Sequence, residues 1–201
     1  EREAEREAER EAEREAEREA RRQAEAERQA RFEAVRDDIT WGRWSRVAGD
    51  NATVTEQRRD DKVVVGLNQV FGLLAPRWDR TPDIGLPANG VVEFNVGSSE
   101  AVLLAGGETT PASVINPQLS VDFGRRSFHT QLEVESAGLD EPARIEARGS
   151  VDRRGRMDTD AAGSNARVNG IVGPGGRQAG MLFDRALDGG VTAAGAIDWF
   201  R

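Results

Sequence analysis

The stretch Leu119-Ser120-Val121-Asp122-Phe123-Gly124-Arg125-Arg126-Ser127-Phe128-His129-Thr130-Gln131-Leu132-Glu133-Val134-Glu135 decides the fold class. Leu119, Val121 and Phe123 alternate with Ser120 and Asp122, residues 124–127 supply a turn, and Phe128, Thr130, Leu132 and Val134 then alternate with His129, Gln131, Glu133 and Glu135. A period of two sets successive side chains on opposite faces, so this is a β-hairpin with one apolar and one charged face.

The pattern spreads in both directions. Ile145, Ala147, Gly149 and Val151 alternate with Arg144, Glu146, Arg148 and Ser150, followed by a turn at 153–155. Residues 169–173 lead into Gly173-Pro174-Gly175-Gly176, a strand follows over 178–183, and the last strand carries Val191, Ala193, Gly195, Ile197 and Trp199 on one face. Four earlier segments, 39–47, 62–74, 90–96 and 101–105, raise the count to about eight strands, and closure into an antiparallel barrel leaves no open edge. Inward Gly149, Gly170 and Gly195 suit a narrow, curved wall. A membrane-spanning barrel is disfavoured, because such barrels carry aromatic girdles and this chain has no Tyr and 5% aromatics. The predicted fold is mainly β: a soluble barrel over 38–201 behind a long N-terminal single α-helix over 1–37.

That helix is read from five copies of Glu-Arg-Glu-Ala over residues 1–20, loosening towards Phe32 and Val35. Every residue type in the tract favours helix. Opposite charges meet at i, i+3 and like charges at i, i+4, so attraction and repulsion partly cancel. A four-residue repeat advances about 40° per unit against a 3.6-residue turn, so the Ala stripe spirals and a left-handed coiled coil is disfavoured. A solvated spacer, roughly 55 Å long, and an assembly helix whose small Ala faces admit a neighbour both remain open. Phe32, Val35 and Ile39 fall at helical spacing and are candidates, with Trp41 and Trp44, for helix–barrel or subunit contact. The chain starts inside a repeat without Met, so Glu1 is expected to be a processing site or an edge within a longer polypeptide.

Composition removes several chemistries. The net charge of −8 comes largely from the repeat, and no large basic field is left for a phosphate backbone, so nucleic acid is not expected as a partner. There are no cysteines, hence no disulfides, thiolate metal sites or cysteine nucleophiles. Lys62 is the single lysine among abundant arginines, a skew that reads as codon bias. No apolar run approaches the ~18 residues of a membrane-spanning helix, and the opening residues are not expected to act as a signal peptide.

Candidate sites read as structural. One histidine, His129, builds neither a triad nor a histidine metal cluster, and it lies on the polar side of its strand. Asp152, Asp158 and Asp160 lack the spacing of an EF-hand loop. Gly173-Pro174-Gly175-Gly176 lacks the Lys-Ser/Thr and following helix of a phosphate loop and reads as a hairpin turn. Trp41 and Trp44 would point to opposite faces of a strand. No general acid or base stands out, so the chain is expected to be non-enzymatic, with no cofactor or metal.

Three stretches, Ile39-Thr40-Trp41-Gly42-Arg43-Trp44, Asn116-Pro117-Gln118-Leu119-Ser120-Val121-Asp122-Phe123-Gly124-Arg125-Arg126, and Ala179-Gly180-Met181-Leu182-Phe183 leading to Gly195-Ala196-Ile197-Asp198-Trp199, stand out together. They resemble the barrel of transferrin-binding-protein-like surface lipoproteins, in the version at the C-terminal end of bacterial FecR-domain proteins. The resemblance implies an eight-stranded soluble barrel without enzymatic activity, displayed extracellularly, at the cell surface or in the periplasm. It departs from the pattern in showing no lipobox cysteine at the start of this sequence and in carrying the charged repeat. The expected function is that of a structural subunit of a bacterial surface filament or appendage that self-associates through helix and barrel. The alternative is a displayed barrel on a helical stalk that binds a protein or other ligand.

Overall fold

The computed structural model describes residues 14–27, 30, 39–44, 52–53, 62–76 and 84–201. The chain divides into two compact units, Glu1–Ala34 and Val35–Arg201. In the first, residues 14–27 form a helix, α1, whose described side chains are all exposed. With Glu, Arg, Ala and Gln at every position it has no apolar stripe to bury. The remainder of the helix expected over 1–37, with Phe32 and Val35, lies outside the described residues.

The second unit holds a closed antiparallel barrel in the order β10-β11-β4-β5-β6-β7-β8-β9. Its strands are β4 (Val91–Ala105), β5 (Glu108–Asp122), β6 (Ser127–Glu135), β7 (Ala143–Val151), β8 (Arg156–Thr159), β9 (Arg167–Val172), β10 (Gln178–Ala186) and β11 (Thr192–Phe200). The hairpin read from the sequence is β5–β6, with Val121 opposite Phe128 and Leu119 opposite Thr130. Its apolar face enters a barrel interior filled by side chains, among them Phe94, Phe123, Phe128, Met157, Phe183 and Trp199. Its other face, with exposed His129 and half-exposed Glu133, looks outward. A charged outer wall around an apolar interior is the reverse of a membrane-spanning barrel. Among the described residues no helix is long and apolar enough to cross a membrane.

The segments at 39–47 and 62–74 were expected to be barrel strands, and here the structure differs. β1 (Thr40–Arg43), β2 (Lys62–Leu67) and β3 (Phe71–Pro76) form a separate three-stranded sheet in the order β1-β3-β2. The physical reason lies in β10 and β11, which are buried along nearly their whole length on both faces. Met181, Phe183, Ala193 and Ile197 point into the barrel, while Leu182, Ala194 and Ala196 point out and would meet water if left bare. The small sheet covers them with Val70, Phe71, Leu73 and Ala75, and Ile39 joins from the start of β1. Segments 90–96 and 101–105, expected as two strands, are one strand, β4, with a bulge opposite Asp198.

Two glycines make this layering possible. Phe183 lies across from Gly195 in β11 and its ring occupies the space a Cβ would need. On the outer face, a Cβ at Gly180 would collide with Ile39 and lie 2.6 Å from Leu73 Cδ1. The covering sheet therefore sits directly on bare backbone. Gly180→Ala is expected to destabilise the domain by about 1–3 kcal/mol through overpacking, read as a lower denaturation midpoint in urea. Gly66→Ala, where the nearest atoms lie at 3.7 Å, is expected to leave that midpoint nearly unchanged.

Candidate functional site

The polar groups that the fold concentrates lie where the covering sheet meets the barrel. Ile39, just before β1, and the alternate β1 residues Trp41 and Arg43 face three different barrel strands in succession. At Ile39, the backbone N–H donates to Gln178 Oε1 at 2.8 Å and the carbonyl accepts from Gln178 Nε2 at 2.9 Å. Gln178 opens β10 and is buried, so its amide stands in for a paired strand. At Trp41, the indole Nε1 donates to Asp198 of β11 at 3.4 Å, and the ring packs edge-on against Phe71 with centroids 5.7 Å apart. At Arg43, Nε pairs with Glu100 Oε1 of β4 at 2.5 Å, both side chains being about four-fifths shielded.

Asn68, in the β2–β3 turn, uses its whole side-chain amide. Oδ1 accepts from the N–H groups of Val70 and Phe71 at 3.0 and 2.7 Å, which shapes the turn. Nδ2 donates to the carbonyls of Phe183 and Gly195 at 3.1 and 3.2 Å, tying that turn to β10 and β11.

Asp198 is a buried carboxylate in an apolar strand. It accepts from the backbone N–H of Ser98 at 2.6 Å and from its hydroxyl at 2.5 Å, besides Trp41. The two Ser98 donors sit in the β4 bulge, whose extra residue the carboxylate satisfies. Burial raises the Asp198 pKa above the ordinary 3.8, and the hydrogen bonds from Ser98 and Trp41 oppose that rise. Asp184 is shifted the same way by desolvation, against the charge of Arg167.

The predicted contact residues are thus distributed. Ile39 is fully buried under the sheet, Trp41 is half-buried against Asp198 and Phe71, and Trp44 is 46% exposed with its Nε1 donating to the Asn68 carbonyl at 2.9 Å. Ile39 and Trp41 face the barrel within one domain. Sequence reasoning missed Gln178, Asn68 and Asp198. Asp198 alone carried a signal, as a lone polar residue in the apolar run Ala196-Ile197-Asp198-Trp199-Phe200, whereas Asn68 stands beside Gln69 and Gln178 beside Arg177.

On the opposite side, the outer wall of β5 to β8 forms an open polar depression of about 1020 Å³, lined in part by Ser120, His129, Arg148, Ser150 and Asp158. His129 Nε2 lies 3.6 Å from Glu146 Oε1, and both side chains are well exposed. Such a surface can hydrogen-bond a polar partner, but its groups do not converge on one reacting atom. Among the described residues, no three potential His, Cys, Asp or Glu metal ligands cluster. The chain matches no protein-family model and no curated protein.

Asp198→Ala strands the Ser98 N–H, the Ser98 hydroxyl and the Trp41 indole, and is expected to cost about 1–3 kcal/mol at neutral pH. The raised pKa means that the folded state holds the Asp198 proton more tightly than the unfolded chain does. Stability contributed by this group therefore rises as pH falls through its folded pKa towards 3.8, and is lost again on return to neutral pH. Asp198→Asn is expected to remove part of that acid-side gain, with Asp184 supplying the remainder. Urea denaturation of the native chain and both variants, at neutral pH and just above pH 3.8, checks the sign.

Proposed function

We propose that this chain is a non-enzymatic structural subunit of a bacterial extracellular or cell-surface assembly, in which barrel heads are carried on charged helices and self-associate. The observation that supports this reading best is the filled barrel. Side chains occupy the interior from Phe94 to Trp199, and a second sheet is packed onto β10 and β11, making a rigid block rather than a ligand-holding cup. What such a block offers a partner is its exterior.

The charged helix adds to the same reading. Residues 14–27 expose every side chain, with Ala small enough to admit a neighbouring helix and Glu and Arg available for pairing across a lattice. The resemblance to the transferrin-binding-protein-like barrel supports a surface location, and its three stretches fall on β1, on β5 with its turn, and on β10 and β11. A displayed binding barrel is the second reading, favoured by the polar depression over β5 to β8.

Light scattering with electron microscopy of the purified full chain separates the two readings. Large ordered polymers, with the repeat protected from protease, are expected. A uniform elongated monomer with a protease-sensitive repeat would overturn the structural reading in favour of the binding barrel.

A further inference from the structure

We propose that the two rims of the barrel are complementary docking surfaces, the arginine rim of one copy stacking end to end on the acidic rim of the next. This rests on the assembly reading and names the contact that would give the assembly its axis.

Antiparallel strands deliver every connection to one rim or the other. At one rim the β5–β6 turn carries Arg125 and Arg126, and the β7–β8 connection carries Arg153 and Arg154, with Arg156 opening β8. Arg177 before β10 and Arg201 after β11 complete the group, and all seven are exposed. The acids described at this rim, Asp122 and Asp152, are occupied with backbone. Asp122 Oδ1 accepts from the Arg125 N–H at 2.9 Å, and Asp152 Oδ1 from the N–H groups of Arg154 and Arg156 at 2.8 and 2.9 Å. Among the described residues only Arg125 of this group has an ion-pair partner, Asp122 Oδ2 at 3.7 Å. Neighbouring segments are bonded together, Val151 N–H to the Arg126 carbonyl and Arg201 N–H to the Arg177 carbonyl, both at 2.8 Å. The guanidinium groups thus project from a hydrogen-bonded frame.

The opposite rim has the opposite sign. Glu108 opens β5, Glu135, Asp140 and Glu141 span the β6–β7 connection, Asp160 follows β8 and Asp188 lies between β10 and β11. All six are exposed, and none is in an ion pair among the described residues. Among the described residues three arginines lie at this rim as well, each engaged on its own domain: Arg167 at the start of β9 faces the charge of Asp184, Arg144 near the start of β7 pairs with Glu146 Oε2 at 3.2 Å, and Arg185 near the end of β10 donates to the Arg144 carbonyl.

In a chain of net charge −8, a rim where, among the described residues, seven arginines face two carboxylates runs against the overall balance. A free polyanion would match the arginine rim alone. A second copy accounts for both rims at once, because each presents the charge the other lacks. Two different faces of one molecule make a heterologous contact, which extends into a linear stack instead of closing as a dimer. Exposed charge pairs are individually weak and screened by salt, so the contact needs several of them and low ionic strength.

The test uses the full chain in sedimentation measurements at about 0.01 M and about 1 M salt, with Arg153→Glu/Arg154→Glu and Asp140→Arg/Glu141→Arg. The native chain is expected to associate at low salt and dissociate at high salt. Each variant alone is expected to associate about tenfold or more weakly, and a one-to-one mixture to regain association, because each variant supplies the rim the other lacks. That rescue also shows that both variants are folded. Native polymers that persist in both variants, or at high salt, would overturn the rim contact while leaving the assembly reading standing. Loss of association in the arginine variant alone would assign that rim to a different anion and overturn the stack. A native chain that is monomeric at low salt would overturn both.

Discussion

The constraint on which the rest of the structure depends is the burial of β10 and β11 on both faces. A barrel strand ordinarily has one face in the core and one in water, but Leu182, Ala194 and Ala196 are apolar on the outside and fully buried. Burying an aliphatic side chain of Leu size is worth about 1.5–3 kcal/mol, against about 1 kcal/mol net for a typical hydrogen bond. Apolar contact from Phe71, Leu73 and Ile39 therefore supplies most of the attraction between sheet and barrel. Gln178, Asp198 and Asn68 fix where the sheet sits, since any other register would leave their buried partners unsatisfied.

This layering gives the barrel two unlike sides. The β9-β10-β11-β4 wall is sealed beneath a second sheet, while the β5 to β8 wall keeps the alternation of apolar inside and charged outside. Chemistry available to a partner is confined to the open wall and the two rims. The buried carboxylate of Asp198 belongs to the sealed side, where it organises the β4 bulge and the Trp41 indole. The Trp41 and Trp44 pair divides in the same way, one ring in the interface and the other partly exposed at the sheet edge.

What was legible in the sequence follows the same division. The β5–β6 hairpin could be read residue by residue because one face is solvated and the period of two is intact. β10 and β11 could be recognised as strands, but Ala179-Gly180-Met181-Leu182-Phe183 has no polar alternation to say that a second layer lies outside. Segments 39–44 and 62–76 carry strand propensity, which does not say which sheet a strand joins. β4 read as two strands because its bulge residues Gly97 and Ser98, followed by Ser99, resemble a loop. The first half of β5 was hidden by Pro111 and by Pro117, where Asn116 takes a φ of 50° at a register shift. Gln178, Asn68 and Asp198 were illegible as contacts because their partners lie 100 or more residues away in sequence.

Native-state hydrogen exchange on the full chain tests most directly whether the covering sheet is part of the barrel's cooperative core. Amides of β3 are expected to open with the same free energy as those of β10 and β11, in one global transition. Exchange of β3 through a much cheaper local opening, with β10 and β11 still protected, would contradict it and make the sheet a detachable layer on a barrel that is stable alone.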